Sequence, residues 1–561
     1  MEEMKSSRSL KKYLFITLAI TVAGIFLSLA STAFFANKII HQLSDVKIDQ
    51  PDVRNQQVKE LSSNLHYVNI SVSNPFFFLA TLAATTPGSY GSISQATNGA
   101  DHFLSAISHQ LNSTDANNSD LAHVVPAVST AMPELNKAIN ALANLHVGGL
   151  FSPLDKRLNQ LRAQAARAYQ TSEAVTPLLQ IFPGISGQNQ PRNYLIAFQN
   201  SAEARGTGGI LGAYAVMNVD KGKVTFSAFG SNAGLTQLKD TPITMPDEFV
   251  RLYNDDPGIW QNSNISPHFP YGAQIWLALW KNQFKEDLDG VLTFDPTALS
   301  YLLKATGPVQ VEGQTISSEN VVKVTLSDLY QKYQTDNNAR KAFLIKIIQA
   351  VSQSIESKKF SAADLLQNMT YPINQHRILF YSAKRDEEKI VEQSEISGSI
   401  SEKLDNQYRL IIQNTSGNKM DYYLKRSVKL EAISCGKNPT TTITFALTNT
   451  ATPTPKLPAY VAGRLDLNKP QGLSNSYGTR AIVMAPVGAH VISAMDLITK
   501  AKFGFLVKER GHKGVAVQVD LAAGETHSYS LTFAGGIGAL KSYVQPLVID
   551  QENTIIDKCH K

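Results

Sequence analysis

The sequence predicts a multidomain α+β protein: an N-terminal transmembrane helix, a helical bundle, a central α/β layer domain and a C-terminal β-sandwich. Three observations lead to this prediction. An uncharged apolar run lies near the N-terminus, apolar residues at helical spacing follow it, and after residue 190 the pattern changes to strands. These strands first alternate with helices and then occur alone. At 561 residues the chain is too long for one hydrophobic core, so several domains are expected.

The predicted transmembrane helix spans residues 13–36, which contain no charged side chain and are long enough to cross a hydrocarbon core. Four cations precede it in the tail of residues 1–12, so the positive-inside rule keeps this tail in the cytoplasm. The alternative is a cleaved signal peptide, since residues 31–33 resemble a small-residue cleavage site. Either interpretation predicts that most of the chain is extracytoplasmic. The transmembrane helix further predicts a plasma-membrane location with membrane lipid as a partner.

The net charge and the cysteine content indicate which partners and which redox compartment the chain is suited to. The net charge is +6, of which the N-terminal tail contributes +2, and no concentrated basic patch supports nucleic-acid binding. Cys435 and Cys559 are the two cysteines of the chain. In an oxidising compartment they are expected to form a disulfide that stabilises the C-terminal domain by about 4–5 kcal/mol in the chain-entropy model. The alternative is two unpaired thiols.

The helical bundle is predicted over residues 40–182. Two series of apolar or small residues, over 124–145 and 154–179, alternate steps of three and four, which is typical of packed helices. The glycines and proline of residues 146–153 separate them and predict an antiparallel hairpin. A third series begins at Val58. Periodicity leaves open whether these stripes pair within one chain or between two chains.

The α/β domain is predicted over residues 190–384, because strand patterns alternate with helical ones. The long irregular stretch of residues 230–271 is a candidate functional loop. The predicted strands are 194–198, 209–219, 223–229, 290–294 and 308–311, and the predicted helices are 273–284, 296–306, 318–333 and 337–357.

Residues 405–561 are predicted to form the β-sandwich. Short alternating segments are separated there by Gly, Pro and Asn, with little helical pattern. The charged segment 385–403 is predicted to be the linker between the two domains.

The segment 199–214 is the strongest candidate for a ligand-binding site in the sequence. It contains Glu203, Arg205, Thr207 and the glycine pair Gly208 and Gly209. Glycines allow close backbone approach, and an arginine can bind a carboxylate or phosphate through two hydrogen bonds, which predicts a pocket for an anionic ligand. The alternative is a Glu203–Arg205 contact that braces a strand connection. The glycine spacing fits neither a Walker motif nor a dinucleotide fingerprint.

Other residues suggest weaker hypotheses. The carboxylate pairs Asp255–Asp256 and Asp287–Asp289 are candidate ligands for a divalent cation. His268 lies in a proline-bracketed loop that is more typical of a structural role, and Trp260 is a candidate for stacking on a sugar. The sequence contains no HExxH, CxxC or GxSxG motif.

Four stretches resemble a bacterial family catalogued as domain of unknown function 4012. They are residues 199–224, 266–280, 288–321 and 329–344. The tail around residues 460–468 resembles the same family. The resemblance implies a membrane-anchored protein of the bacterial cell envelope, and it implies no activity.

A more distant likeness is to the LytR-CpsA-Psr ligases, which transfer polyprenyl-pyrophosphate-linked glycans onto peptidoglycan. Arg205 and Arg340 are similar to arginines of that family, and the likeness implies a pyrophosphate site with Mg²⁺ held by an acid such as Asp295. The sequence departs from the family where a Pro-Arg-Asp motif is expected, because residues 229–235 carry no charge.

Two functions are therefore predicted. The first is a single-pass, membrane-anchored extracytoplasmic envelope protein that acts as a binding or scaffold module. The second is a phosphotransferase that attaches glycopolymers to the cell wall. Envelope glycan or polyprenyl phosphate is the expected partner in either case. The position of Arg205 relative to Arg340 distinguishes the two, because convergence on one phosphate would favour transfer.

Overall fold

The structure is a computed structural model that describes residues 180–561, with short gaps, together with helical pieces between residues 60 and 141. The gaps are residues 254–255, 358–359, 361, 404–405, 455–456, 469–474, 537 and 560–561. The chain divides into two compact units, Met1–Asn189 and Gln190–Lys561.

In the first unit, helical pieces occur within residues 60–72, 94–102 and 132–141. Val68 and Val72, which continue the third predicted helical series, are buried. The predicted transmembrane helix 13–36 and most of the predicted bundle lie outside the described residues. Within the described part of the chain, no helix has the length and apolar character needed to span a bilayer.

The second unit begins with a mixed five-stranded sheet, in the order β3-β2-β1-β4-β7. Its first three strands are consecutive antiparallel neighbours, while β4 lies parallel to β1. The strands are β1 Arg192–Arg205, β2 Gly208–Asp220, β3 Lys223–Ser231, β4 Gly290–Phe294 and β7 Phe380–Ser382. A separate hairpin consists of β5 Val309–Val311 and β6 Gln314–Ile316.

Helices accompany this sheet. They are α1 Asp247–Leu252, α2 Phe269–Phe284, α3 Pro296–Thr306, α4 Val321–Lys323, a π-type stretch Val324–Asp328, α5 Leu329–Lys332, α6 Asn337–Glu356, α7 Ala362–Asn374 and α8 Arg385–Val391. Helices α3 and α6 have aspartate N-caps. The Ala298 N–H donates to Asp295 at 2.6 Å, and the Ala339 N–H donates to Asp336 at 2.9 Å. The aspartates fix where α3 and α6 begin.

The remaining strands form two five-stranded sheets, in the orders β12-β15-β10-β9-β17 and β13-β14-β11-β8-β16. A short helix, α9 Ala459–Ala462, lies among them. The strands are β8 Gln407–Asn414, β9 Leu424–Ser434, β10 Thr440–Asn449, β11 Tyr477–Met484, β12 His490–Asp496, β13 Phe505–Glu509, β14 His512–Leu521, β15 Thr526–Ala534, β16 Lys541–Tyr543 and β17 Glu552–Ile556. The described fold is therefore mixed α and β with several sheets.

The C-terminal segment joins the sheets to each other. β16 pairs parallel with β8, and β17 pairs parallel with β9. Between them, the Gln545 side chain donates to the Arg205 carbonyl at 2.7 Å, and the Gln545 and Ile549 carbonyls accept from the buried Arg426 at 3.0 and 3.1 Å. Cys559 forms a disulfide with Cys435, with the two Cα atoms 5.6 Å apart.

The two C-terminal sheets, which contain the strands predicted to form a sandwich and are called the sandwich below, share a hydrophobic core with the α/β region. Leu195 of β1 and Trp276 of α2 belong to the same buried cluster as Ile411, Ile482 and Ala516 of the sandwich. Consistent with this, the second compact unit contains both regions.

The segment 385–403, predicted to be a linker, is packed into this unit. It begins with α8, and its Val391, Ile396 and Ile400 are buried. The charges of this segment suggested a solvated connection, but its regularly placed aliphatic side chains make it part of the core.

The buried carboxyl group of Glu509 should make the stability of this shared core depend on pH. Glu509 ends β13 and is buried, and it accepts hydrogen bonds from Ser266 Oγ at 2.5 Å and Tyr253 Oη at 2.6 Å. Desolvation by burial outweighs these hydrogen bonds and raises the pKa of Glu509 from 4.5 to about 7. Between these two values the folded chain retains a proton that the unfolded chain loses, so stability falls as the pH rises through this window.

We expect Glu509 to reduce the free energy of unfolding by about 3 kcal/mol between pH 4.5 and pH 8. Glu509→Gln should remove this part of the pH dependence, because an amide can both accept and donate without ionising. Urea unfolding at pH 5 and pH 8 would measure the difference. Glu431→Gln is the control, because the pKa of the Glu431 carboxyl is already lowered. Equal pH slopes for wild type and Glu509→Gln would contradict the prediction.

Candidate functional site

A pocket opens between strands β1 and β2 and helix α6. Its cavity volume is about 80 Å³, and the pocket continues outward into open solvent. Its walls are mainly apolar, and the lining side chains include Phe198, Ile210, Phe294, Leu299, Leu326, Leu344, Ile347 and Ile348. A cavity with such walls favours an apolar group over a fully hydrated one.

Three cations border the same pocket: Arg340 and Lys341 of α6, and Lys419. Arg340 donates to Asn337 Oδ1 at 2.6 Å, and its guanidinium carbon lies 4.5 Å from the Tyr330 ring centroid. Lys341 Nζ donates to Asn232 Oδ1 at 2.7 Å. Hydrogen bonds and ring contacts therefore hold these long side chains in place before any ligand arrives.

The positive charges of the pocket are only partly compensated. Burial lowers the pKa of Lys341, and the nearby charges of Arg340 and Lys419 lower it further. Asp295 is the one carboxylate among the described residues of the lining, and it is paired with Arg377 at 2.7 Å. An anion bound among the three cations would relieve their mutual repulsion.

Lys419 connects the pocket to a buried ion triad. Its ammonium pairs with Glu203, and the Glu203 carboxylate also accepts from Arg205 at 3.3 Å. Although burial opposes both charges, the pairing raises the pKa of Lys419 and lowers the pKa of Glu203. Glu203 is thus an ionised counter-charge that holds Lys419 in position.

Arg205 does not converge with Arg340 on a common ligand. Its guanidinium donates to the carbonyls of Ala204 at 2.9 Å and Asn414 at 3.3 Å, and to Asn262 Oδ1 at 3.1 Å. With Glu203 as a further acceptor, most of its hydrogen-bonding capacity is used within the protein. The structure therefore shows the predicted alternative, a Glu203–Arg205 contact at a strand connection.

Among the predicted anion-binding residues, Thr207 lies in a buried turn, while Gly208 and Gly209 begin β2; none of the three lines this pocket. Thr207 Oγ1 accepts hydrogen bonds from Gln199 at 3.0 Å and Asn264 at 2.8 Å. Gly208 has a φ of +131°, which L side chains rarely adopt, and a Cβ on Gly209 would overlap the backbone of the facing strand. The glycines allow close packing here, and their role in anion binding stays a prediction.

Arg205 borders a second, polar cleft on the sandwich side. Arg464 there pairs with Asp466 at 2.7 Å and with Asp520 at 2.5 Å, and Arg480 also borders the cleft. Two carboxylates thus accompany the arginines of this cleft, whereas the one carboxylate in the described lining of the pocket beside α6 is paired with Arg377.

The predicted acid site for Mg²⁺ does not fit the structure. Asp295 Oδ1 accepts from the Ala298 N–H and Oδ2 from Arg377. Burial outweighs these contacts and raises the pKa of Asp295, which disfavours a free carboxylate ligand. Among the described residues, no group of three His, Cys, Asp or Glu side chains is placed to hold a metal ion.

The weaker candidate residues have structural contacts. Asp289 pairs with Arg192 at 2.9 Å and Asp287 with Lys281 at 2.8 Å, whereas Asp255 lies outside the described residues. His268 is buried and its Nδ1 accepts from the Ile400 N–H at 3.0 Å.

Trp260 is buried rather than exposed for stacking on a sugar. Its indole N–H donates to the Thr236 carbonyl at 3.1 Å. The hypothesis that it stacks on a sugar is therefore wrong, because apolar burial of the ring leaves no free face.

A comparison with known protein families matches residues 189–330 to a model described as a protein of unknown function, DUF4012. This region is similar to the DUF4012 family. The match confirms the family resemblance predicted from the sequence, while the likeness to LytR-CpsA-Psr ligases is not shown. No curated protein matches the chain.

The residues matched to DUF4012 supply only part of the pocket. They contribute the β1 and β2 walls, Asn232 and the start of α3, whereas Arg340, Lys341, Lys419 and Tyr460 lie beyond the matched residues. The three cations are therefore features of this chain outside the family match.

Sequence reasoning found Arg340 but missed Lys341 and Lys419. Lys341 had a local signal, since it follows Arg340 on a helix close to the aromatic Tyr330. Lys419 had none, because it lies in the part of the chain assigned to the sandwich and reaches the pocket only through the tertiary fold.

Proposed function

We propose that this chain is a single-pass, membrane-anchored extracytoplasmic envelope protein whose pocket binds an amphiphile with an apolar tail and an anionic head group. The observation that carries the proposal is the combination of apolar walls with Arg340, Lys341 and Lys419 at one pocket. A small anion alone would leave the apolar walls exposed to water. A hydrocarbon alone would leave the charges of Arg340 and Lys341 uncompensated, since of the three cations only Lys419 is paired with a described carboxylate, that of Glu203. Polyprenyl phosphate has both parts.

The energetic terms favour such a ligand. Burying hydrocarbon contributes roughly 25 cal/mol per Å² of apolar surface. Charge-assisted hydrogen bonds from a pre-positioned guanidinium and ammonium contribute about 1.5–3 kcal/mol each. The head group would thus give selectivity, while the tail would supply much of the affinity.

Two features support the extracytoplasmic location. The uncharged run of residues 13–36 behind a cationic tail is expected to be inserted with its N-terminus in the cytoplasm. The disulfide Cys435–Cys559 is typical of an oxidising compartment.

The contacts favour binding over glycan transfer. Transfer of a pyrophosphate-linked group needs several free cations and usually a bound metal to offset developing charge. Arg205 is instead bonded within the protein, and Asp295 is paired with Arg377 and caps α3. Binding or presentation of the amphiphile therefore accounts for the site better than catalysis.

We expect the full-length protein in mild detergent to bind polyprenyl phosphate, as measured by native mass spectrometry. Arg340→Gln combined with Lys341→Gln should weaken binding by at least tenfold, because two of the three charged donors to the head group are lost. Lys346→Gln is the matched control on the same helix, where an exposed lysine pairs with Glu312 at 2.5 Å.

Two further ligands separate the contributions of head and tail. Uncharged polyprenol should bind at least tenfold more weakly than polyprenyl phosphate, and inorganic phosphate alone should bind weakly. Leu344→Trp should reduce polyprenyl phosphate binding by filling the apolar wall. Equal affinity for polyprenol and polyprenyl phosphate, or no effect of the Arg340 and Lys341 changes, would contradict the proposal.

A further inference from the structure

A second surface, remote in sequence from the pocket helix α6, exposes large apolar side chains. In the segment that leads from β12 into β13, Ile498 is 59% exposed, Phe505 56% and Leu506 77%. Such side chains occur singly on most protein surfaces, but three within nine residues form an apolar concentration.

Ordered backbone displays these side chains. Asp496 Oδ1 accepts from the Ile498 N–H at 2.8 Å and the Thr499 N–H at 3.0 Å, and the Asp496 N–H donates to the Ala501 carbonyl at 2.9 Å. These bonds close a tight turn with Ile498 near its tip. Phe505 and Leu506 belong to β13, which pairs with β14.

Lysines surround the apolar side chains. Lys500 and Lys502 lie on the turn, and Lys508 of β13 lies directly opposite Lys513 of β14. All four are exposed, and none forms an ion pair with a described residue. Like charges directly opposite each other in a sheet are unfavourable in water, so an anionic partner would stabilise this arrangement.

The acidic residues of the segment are too few to neutralise these four lysines. Asp496 contributes one negative charge, held at the turn by backbone N–H groups, and Glu509 is buried against Ser266 and Tyr253. The surface is consequently both apolar and cationic.

We infer that this surface docks on an anionic lipid bilayer. We call it the docking edge and define it by its apolar and basic side chains: Ile498, Lys500, Lys502, Phe505, Leu506, Lys508 and Lys513. Apolar side chains can enter the head-group region, while each lysine near an anionic surface contributes about 1 kcal/mol of attraction. This inference is independent of the ligand proposed for the pocket.

A second copy of the chain is the less favourable occupant. β12 and β13 are the outer strands of their sheets, so edge-to-edge pairing is geometrically possible. However, two docking edges in contact would bring the same lysines together without compensating carboxylates. Charge complementarity therefore favours lipid.

The test uses the full-length chain in nanodiscs made with brominated lipids, which quench nearby tryptophan fluorescence. Leu506→Trp places a reporter on the docking edge, and Leu465→Trp is the control, because Leu465 is also exposed, at 60%, but lies outside it. The native Trp260, Trp276 and Trp280 are buried and provide a common background. We expect the quenching of Leu506→Trp to be at least twice that of Leu465→Trp in phosphatidylglycerol discs and to fall to the control level in phosphatidylcholine discs.

Charge reversal with Lys500→Glu and Lys502→Glu should abolish the extra quenching, while the circular dichroism spectrum stays unchanged. Hydrogen exchange of the unsubstituted chain gives a second readout, in which amides 498–506 should exchange at least threefold more slowly in phosphatidylglycerol than in phosphatidylcholine discs. Equal quenching of the two tryptophan reporters would overturn the inference. A shift in the tryptophan emission of Leu506→Trp that depends on the number of chains per disc would also overturn it. That result would indicate that a second copy of the chain covers the docking edge.

Discussion

Replacing Arg377 with methionine is expected to lower the free energy of unfolding by about 3–5 kcal/mol. The Arg377 side chain is 3% exposed and donates to Asp295 Oδ2 at 2.7 Å, to Asp550 Oδ1 at 2.7 Å and to the Leu547 carbonyl at 3.0 Å. Its removal leaves the buried Asp295 carboxylate without a cation. Burial already raises the pKa of Asp295, so the uncompensated charge is costly.

Chemical denaturation followed by the fluorescence of the buried tryptophans would measure the loss. Asp295→Asn added to Arg377→Met should recover at least half of it, because asparagine still accepts the Ala298 N–H at the start of α3 without carrying a charge. Lys389→Met is the control, since Lys389 is exposed and its ion pair with Asp386 contributes little. A loss below about 1 kcal/mol for Arg377→Met would show that water or a shifted pKa compensates Asp295.

Removing the disulfide with Cys435→Ser and Cys559→Ser is expected to lower the free energy of unfolding by about 4 kcal/mol. The two cysteines are 124 positions apart in sequence, so the bond restricts a long loop of the unfolded chain. Wild type unfolded in the presence of a reductant should match the double variant. This comparison separates loss of the covalent bond from any effect of serine packing.

The same cysteines also test the compartment. In rapidly quenched cells, alkylation before reduction should leave both thiols unmodified, because an extracytoplasmic domain keeps the bond oxidised. Complete alkylation of Cys435 and Cys559 would contradict the extracytoplasmic location. It would not bear on the proposal that the pocket binds an anionic amphiphile.

Much of the α/β region was predictable because its signals are local. Alternating apolar residues marked β1 to β4, and the Asp295-Pro296 pair gave α3 a clear start. The predicted strand 194–198 was too short, since β1 extends from Arg192 to Arg205. Its polar second half remains a strand because it packs against the sandwich, which no local pattern records.

Elements held by distant contacts were harder to predict. β7 has three residues and joins the sheet beside β4, and β16 and β17 complete sheets begun more than a hundred residues earlier. The packed segment 385–403 was missed for the same reason. Its charges are evident in the sequence, whereas the surface that covers its aliphatic side chains is not.

The residues of the candidate pocket also differ in whether a local sequence signal could predict them. Arg340 lines the pocket, whereas Arg205 is bonded to Glu203 and backbone carbonyls. The glycine-rich turn suggested a ligand because close backbone approach serves binding and packing equally well. Lys419 joins the pocket only after the sandwich has packed on β1, so the cationic cluster is a product of tertiary structure.

The parallel pairing of β16 with β8 and of β17 with β9 has a consequence for biosynthesis. The carbonyls that accept from the buried Arg377 and Arg426 come from Gln545, Leu547 and Ile549, near the end of the chain. Until the ribosome has released these residues, Arg426 lacks these acceptors, Arg377 has only Asp295, and the edges of β8 and β9 that pair with β16 and β17 are open. A product truncated before this point would retain exposed strand edges and unsatisfied cations, which makes it a ready substrate for proteolytic quality control.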